Sequence, residues 1–431
     1  MTAALVGFAA LMLLILLRLP IAFAMALVGF AGFWFLEGLQ ISAANATVVI
    51  QTATTNYELA VVPMFILMGN LVAKAGLSKE LYDASNAFLG HRRGGLAMAT
   101  IVACGGFSAV SGSSLATAAT MSRVAIPSML RHGYSQSLAT GSVASGGTLG
   151  ILIPPSVILV IYGIMTESNI GQLFAAGILP GVAGILLYLV AIFAVVALDP
   201  RAAPNTARSS WRMRLRSLRN VWGVILLFAL VMGGIYFGVF TPTEAAGVGA
   251  AGAFLFALLR RLLTWRTLFE CLLESARTSA IMFAILIGAL IFSNFVNVAG
   301  MPQALAGAIS ESGLAPMAII LVIVLVYLIL GCVFDTIGMI LLTVPIFYPI
   351  VSGAGFDLIW FGILVVVVTE IGLITPPIGM NVYMIKSMVP EVPAGTIFRG
   401  VLPFIGADIA RLALILFLPG VVLWLPKLMT L

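Results

Sequence analysis

Charge is what this sequence lacks most. Asp, Glu, Lys and Arg make up 8% of its 431 residues, against 62% hydrophobic residues. A soluble domain of that size could not cover its surface with so few polar groups, so a water-soluble fold is excluded. Histidine occurs twice and cysteine three times. Cys104, Cys271 and Cys332 are scattered within or beside apolar runs, with neither disulfide nor metal spacing, and read as packed small hydrophobes. No Walker A sequence, no H-E-x-x-H and no G-x-S-x-G occurs. Gly247-Val248-Gly249-Ala250-Ala251-Gly252 spells G-x-G-x-x-G, but it lies in an apolar span with no preceding strand and reads as a packing face. The alternating ten-residue strands of an outer-membrane barrel are also missing. With no nucleophile–base pair and no metal cluster, an enzyme is not expected. With no ATPase motif, any transport must draw on an ion gradient or another subunit.

What is present is a series of long apolar runs, the mark of an all-α polytopic membrane protein. The net charge is +6, but the basic residues cluster in short loops. That charge reports topology rather than nucleic-acid binding. The first apolar run has no basic residue before it and flows into a second, so it reads as a retained helix rather than a cleaved signal.

The most informative stretch runs from Gly141 to Ile161, with Gly146, Gly147 and Gly150 followed by Pro154, Pro155 and Ser156. Prolines and glycines there interrupt a helix at membrane depth. Freed backbone groups at that depth are tolerated only against protein or a water-filled cavity. The pattern recurs at Thr369–Asn381, where Gly372, Thr375, Pro376 and Pro377 keep the spacing at an offset of 376 − 154 = 222. Other pairs agree: Pro20 with Pro242, Asn70 with Asn294, and Gly177 with Gly400 lie 222 to 224 apart. The chain therefore reads as a duplication: residues 1–198, an Arg-rich linker 199–220, and residues 221–431. Paired broken helices in two halves are the best sequence pointer to a transporter's binding site.

In chain order, helices are expected over 3–17, 20–36, 58–76 and 174–198, with a short amphipathic segment from Ser78 to Leu89. Residues 95–130 are too long for one span and are interrupted at Ser108–Ser114, which suits a hairpin that enters and leaves the bilayer on one side. The second half has its counterpart at Gly331–Gly338. Residues 37–58, 166–173, 300–315 and 351–356 read as loops free of Lys and Arg. With the linker in the cytoplasm, those loops fall outside and nearly all basic residues fall inside, Lys427 alone dissenting. The two halves are then inverted, and one hairpin enters from each face.

Buried helix ends expose unpaired backbone groups with partial charge, so unwound carbonyls suit a small hard cation and N-termini suit a carboxylate. Ser111, Ser113 and Ser114 bring hydroxyls to one tip, although small residues there also serve plain helix packing. Asp335 and Thr336 bring a carboxylate and a hydroxyl to the other. Glu370 is either functional or a protonated or backbone-bonded group. Arg123 either attracts an anionic substrate or snorkels to the cytoplasm. Asp408 and Arg411, spaced i, i+3, read as a structural ion pair rather than a proton relay. Glu244, just past Thr241-Pro242, reads as a helix N-terminal residue.

At the broken stretches the sequence resembles the large membrane subunit of the tripartite ATP-independent periplasmic (TRAP) transporters. The resemblance runs the whole chain and is carried by Val62-Pro63-Met64-Phe65, Ser111-Gly112-Ser113-Ser114, Gly147–Ser156 and Thr375-Pro376-Pro377-Ile378-Gly379. It implies a sodium-coupled importer of organic acids in the bacterial inner membrane. It also implies an elevator fold with a fixed scaffold and a moving domain of hairpins and broken helices. The implied partners are a small four-helix membrane subunit, expected as a separate chain, and a periplasmic substrate-binding protein. By position, one Na⁺ site would use Ser111, Ser113, Gly147 and Gly150, and the other Gly331, Asp335, Thr336, Gly372 and Thr375. Substrate would meet Ser114, Arg123, Pro154, Pro155, Ser156, Pro376 and Asn381. Arg123 departs from the family's usual small or apolar residue, which leaves the substrate open to molecules bulkier or more acidic than a C4-dicarboxylate. The alternative is an autonomous sodium/dicarboxylate-type symporter that works without a binding protein.

Overall fold

The computed structural model describes residues 2–205, 208–332 and 334–429. Met1, Thr206 and Ala207 of the expected linker, Val333 of the expected second hairpin interruption, Thr430 and Leu431 lie outside the described residues. Those described contain helices and turns and no strand. The first half comprises α1 (Thr2–Leu16), α2 (Ile21–Glu37), α3 (Leu39–Thr55), α4 (Val61–Lys74), α5 (Leu77–Leu89), α6 (Gly95–Ser111), α7 (Ser114–Arg131), α8 (Gln136–Thr148), α9 (Val157–Thr166) and α10 (Ile170–Leu198). Then come α11 (Trp211–Asn220), α12 (Trp222–Tyr236), α13 (Pro242–Leu259), α14 (Trp265–Val298), α15 (Met301–Ser312), α16 (Pro316–Gly331), α17 (Thr336–Gly353), α18 (Leu358–Ile374), α19 (Met380–Met388), α20 (Ala394–Phe417) and α21 (Gly420–Leu428). Among the described residues six helices are long and apolar enough to cross a membrane, or seven if α11 and α12, bent by 45° at their junction, count as one span.

Two expectations need correction. Residues 37–58 are not a loop but mostly α3. Its polar composition hides the helix, because Thr47, Thr54 and Thr55 turn their hydroxyls back onto the carbonyls of Ala43, Ile50 and Gln51, each at 2.8 Å. Residues 300–315 likewise form α15, with Pro302 in its first turn, where a missing N–H costs nothing. Within residues 199–220, α11 packs against α5. Arg214 is buried there, donating from Nε to the Ala87 carbonyl at 3.1 Å with its guanidinium 5.0 Å from the Trp211 ring. Smaller differences are that α10 starts at Ile170 and α17 runs on to Gly353.

Packing divides the helices into two groups. In the first, α2 lies along α14 and α4 along α13. Small residues set these crossings: a Cβ on Gly29 would fall 2.6 Å from the Phe292 backbone. Gly249, from the G-x-G-x-x-G match, faces Met68 and Val231, so that motif is a helix contact. In the second group, α8 packs on α20 and α7, α10 on α18 and α20, α9 on α17 and α19 on α7. The groups meet where α14 touches α17 and α4 touches α6.

Candidate functional site

The turn between α6 and α7 is made by Gly112, whose φ of 61° places it in the left-handed region that favours glycine. Ser113 follows in extended conformation and caps α7, accepting from the Ala116 N–H at 3.4 Å. Ser111 Oγ and Thr117 Oγ1 lie 2.7 Å apart across the turn, both buried. Beside this tip α8 ends at Thr148, a 3₁₀ turn covers Leu149–Ile151, and the Pro154–Pro155 bond is cis. Ser156 then caps α9 through the Leu159 N–H at 3.3 Å and donates its own proton to the Ile151 carbonyl. Break and tip touch through glycine. A Cβ on Gly147 would sit 2.7 Å from the Ala118 Cβ, and one on Gly150 would sit 2.5 Å from the Ser113 carbonyl oxygen.

At the second tip the described residues bring different chemistry. Asp335 caps α17, accepting from the Gly338 N–H at 3.1 Å. The facing break begins where α18 ends at Ile374. The Thr375 hydroxyl donates to the Ile371 carbonyl at 2.6 Å, and the Pro376–Pro377 bond is cis. Gly372 lies flat on the tip: a Cβ there would fall 2.6 Å from the Gly331 carbonyl oxygen. Asn381, at the start of α19 and fully buried, donates to the Ala144 carbonyl of α8 at 3.1 Å and ties the second break to the first.

Both tips open on one cavity of about 90 Å³, lined by Gly112, Ser113 and Ser114 from the first tip and by Asp335 and Thr336 from the second. Ile151 and Leu373 from the two breaks and Met282 of α14 also line it. That volume holds a few waters or a small solute. Larger hollows lie elsewhere. An apolar groove between α1 and α2 measures about 670 Å³ but carries no comparable polar groups.

The structure therefore gathers Ser111, Ser113, Gly147 and Gly150 at one contact, and Gly331, Asp335, Thr336, Gly372 and Thr375 at the other. Ser114 lines the cavity between them. Pro154, Pro155 and Ser156 are buried at the first break, while Pro376 is exposed at the second. Arg123 is exposed on α7 and takes no part in the cavity wall. It stands nine residues beyond Ser114, about 13 Å along the helix. No group of three or more His, Cys, Asp or Glu side chains gathers among the described residues. The donors present are hydroxyls, carbonyls and one carboxylate, which suit a hard cation such as Na⁺ or Ca²⁺ far better than a soft transition metal.

Three features lie beyond the residue-by-residue reading. Thr117 joins the first tip from six residues past Ser111, which the serine motif alone did not indicate. Glu370 is not bonded to backbone; it pairs with Arg411, which also holds Asp408 Oδ1 at 2.7 Å. The Tyr188 hydroxyl donates to Asp408 Oδ2 at 2.8 Å and lies 3.2 Å from Thr148 Oγ1. All five residues are buried. The i, i+3 spacing signalled Asp408 and Arg411, but nothing local signalled partners 41 and 220 positions away. Glu244 closes a capping box with Thr241, as its position indicated.

The sequence matches the tripartite ATP-independent periplasmic transporter DctM component over residues 8–421. It is 40% identical over 374 residues to the C4-dicarboxylate TRAP transporter large permease protein DctM of Pseudomonas aeruginosa, covering 86% of this chain and 87% of that one. The sialic acid TRAP transporter large permease protein SiaM of Vibrio cholerae is 34% identical with the same coverage. The fold is similar to the YdaH transporter of Alcanivorax borkumensis, with a TM-score of 0.62 at 14% identity over 89% of each chain. It is also similar to MtrF of Neisseria gonorrhoeae, with a TM-score of 0.60 at 16% identity, covering 90% of this chain and 85% of that one. The match from residue 8 to residue 421, on a helical frame with six or more membrane-length spans, places this multi-pass protein in the DctM family, as a large permease of the tripartite ATP-independent periplasmic transporters.

Proposed function

We propose that this permease imports an organic acid across the bacterial inner membrane, driven by Na⁺, with substrate delivered by a periplasmic binding protein and with a small membrane subunit beside it. The observation that carries the reading is the single cavity on which both hairpin tips and both helix breaks converge. One Na⁺ would be held at Ser111, Ser113, Gly147 and Gly150, and the other at Gly331, Asp335, Thr336, Gly372 and Thr375. The substrate carboxylate would enter between the tips near Ser114, with the Pro154–Ser156 and Pro376–Asn381 breaks shaping its surroundings and Arg123 acting from a distance. A C4-dicarboxylate is the first substrate to test, because the Pseudomonas aeruginosa relative is named for one.

Packing supports the reading of residues 1–198 and 221–431 as two inverted repeats. If α2 corresponds to α13 and α4 to α14, then the contacts α2 with α14 and α13 with α4 are images of one another. The same holds for α8 with α20 against α18 with α10, and for α7 with α19 against α17 with α9. Such reciprocity fits a pseudo-two-fold axis in the membrane plane, with the first packing group as scaffold and the second as an elevator that carries the cavity across. A reporter fused at Arg208 should then be cytoplasmic and one at Gly355 periplasmic; both on one side would break the inversion.

The function is tested in proteoliposomes holding the permease and small subunit, with radiolabelled C4-dicarboxylate and its binding protein outside. Uptake should require an inward Na⁺ gradient and the binding protein. Uptake by the permease alone would favour the autonomous symporter, and uptake indifferent to Na⁺ would remove the coupling ion from the proposal.

A further inference from the structure

The Thr148–Tyr188–Asp408–Arg411–Glu370 network joins the two breaks. At one end Thr148 is the last residue of α8 and follows Gly147, which packs on the first tip. At the other end Glu370 stands on α18, two residues before Gly372, which packs on the second tip. Between them Tyr188 comes from α10, and Asp408 and Arg411 come from α20, which packs against both α8 and α18. Every member is buried, so water offers no substitute partner when a bond in the chain is lost.

The network is also unsaturated. Arg411 Nε and Nη1, Glu370 Oε1 and Asp408 Oδ1 have no hydrogen-bond partner, Asp408 Oδ1 meeting the guanidinium as an ion pair alone. Guanidinium presents five donors to two carboxylates here, so more than one pairing is open to it. A polar cluster with spare donors and spare acceptors can re-pair without abandoning a charge, whereas a saturated one can only break. That makes α20 a hub able to favour two discrete arrangements of the breaks, the kind of element through which separate sites communicate.

We propose that this network couples the two candidate cation sites, so that occupancy of one raises affinity at the other. This rests on the reading of the two tips as Na⁺ sites. Tyr188, Asp408 and Arg411 touch neither ion in it; they are positioning residues that hold the α8 terminus and α18 in mutual register. A cation drawn into the first site fixes the end of α8, the Thr148–Tyr188 contact carries that fixation to Asp408 and Arg411, and Glu370 carries it to the Gly372 backbone.

The test uses the reconstituted permease with small subunit and substrate-loaded binding protein, measuring uptake against external Na⁺. The unaltered protein should give a sigmoidal curve with a Hill coefficient clearly above one, two coupled sites setting its ceiling. Tyr188→Phe deletes one hydroxyl and keeps the ring and all charges, and it should pull the coefficient toward about one. Thr148→Val cuts the same contact from the other side. Because Tyr188→Phe already removes that contact, the double variant should be no worse than Tyr188→Phe alone, the signature of a shared interaction. A role confined to holding helices together would lower protein yield or thermal stability and leave the Hill coefficient unchanged in both variants, and that result overturns the proposal. A hyperbolic curve in the unaltered protein would overturn it too, while leaving sodium dependence itself intact. Na⁺-independent uptake would overturn both readings.

Discussion

The two hairpin tips solve one steric problem and differ in their electrostatics. Each seats its turn on a glycine of the facing broken helix, Gly150 under Ser113 in one case and Gly372 under Gly331 in the other. The first tip offers only dipoles, with the Ser111 and Thr117 hydroxyls bonded to each other. The second offers Asp335, half-buried and already engaged as a helix cap. Close backbone approach is thus common to both and follows from packing alone. Fixed charge belongs to one of them. In the proposed scheme a cation at the first tip must exchange hydration for carbonyls and hydroxyls, while one at the second also meets a full negative charge, so the second should dominate the apparent affinity.

Substituting the shared glycines tests the common half of this comparison and carries the largest effects. Gly372→Ala and Gly150→Ala each drive a Cβ into backbone that has no side chain to rotate away. Overpacking of that kind costs up to about 3 kcal/mol, which lowers the population of the seated tip and the uptake rate by about a hundredfold. Equal losses at the two positions, measured as initial uptake at saturating Na⁺, would confirm that the seats are equivalent. A tolerated alanine at one would break the parallel.

The difference between the tips is sharpened by Asp335→Asn. Asn caps helices as well as Asp does, so folding and membrane insertion should be near normal. Apparent Na⁺ affinity should fall about tenfold, or roughly 1.4 kcal/mol. Ser113→Ala, at the neutral tip, should weaken it only about threefold, since the Ser113 carbonyl stays in place and the cap bond it deletes is long. If the serine variant proved the more damaging, the ranking of the two tips would be reversed. The smallest effect is expected from Arg123→Ala. An exposed cation outside the cavity wall acts by attraction at a distance, so substrate KM should rise about twofold at low salt, kcat should hold, and the difference should fade at high salt. An effect that survives high salt would bring Arg123 into contact with substrate.

The breaks were legible because prolines and glycines leave a local record. Gly112 directly follows the end of α6, Pro376 stands two residues past the end of α18, and Pro155 stands two residues before the start of α9. The amphipathic α5 and the capping box at Thr241 and Glu244 were legible for the same reason, since both are properties of consecutive residues. α3 was not, because threonines that satisfy themselves on their own helix look like loop residues in a list. Nor was the environment of Arg411, whose partners Glu370 and, through Asp408, Tyr188 arrive from other helices. The part of the site that depends on one turn of backbone could be read, and the part that depends on helices meeting could not.

The length of α14 has a consequence for how the whole molecule sits. Its 34 residues extend about 51 Å, while the hydrocarbon layer is about 30 Å thick. Arg266, Glu270, Glu274 and Arg277 all fall in its first thirteen residues, and Glu270 is bridged there to Lys74 of α4 at 3.4 Å. The remaining stretch, 278–298, is about 31 Å long, the thickness of the oily layer itself. The helix is thus marked like a depth gauge, with its waterline at Arg277, and because α2 and α17 both lean on it, that mark sets the draught of the vessel.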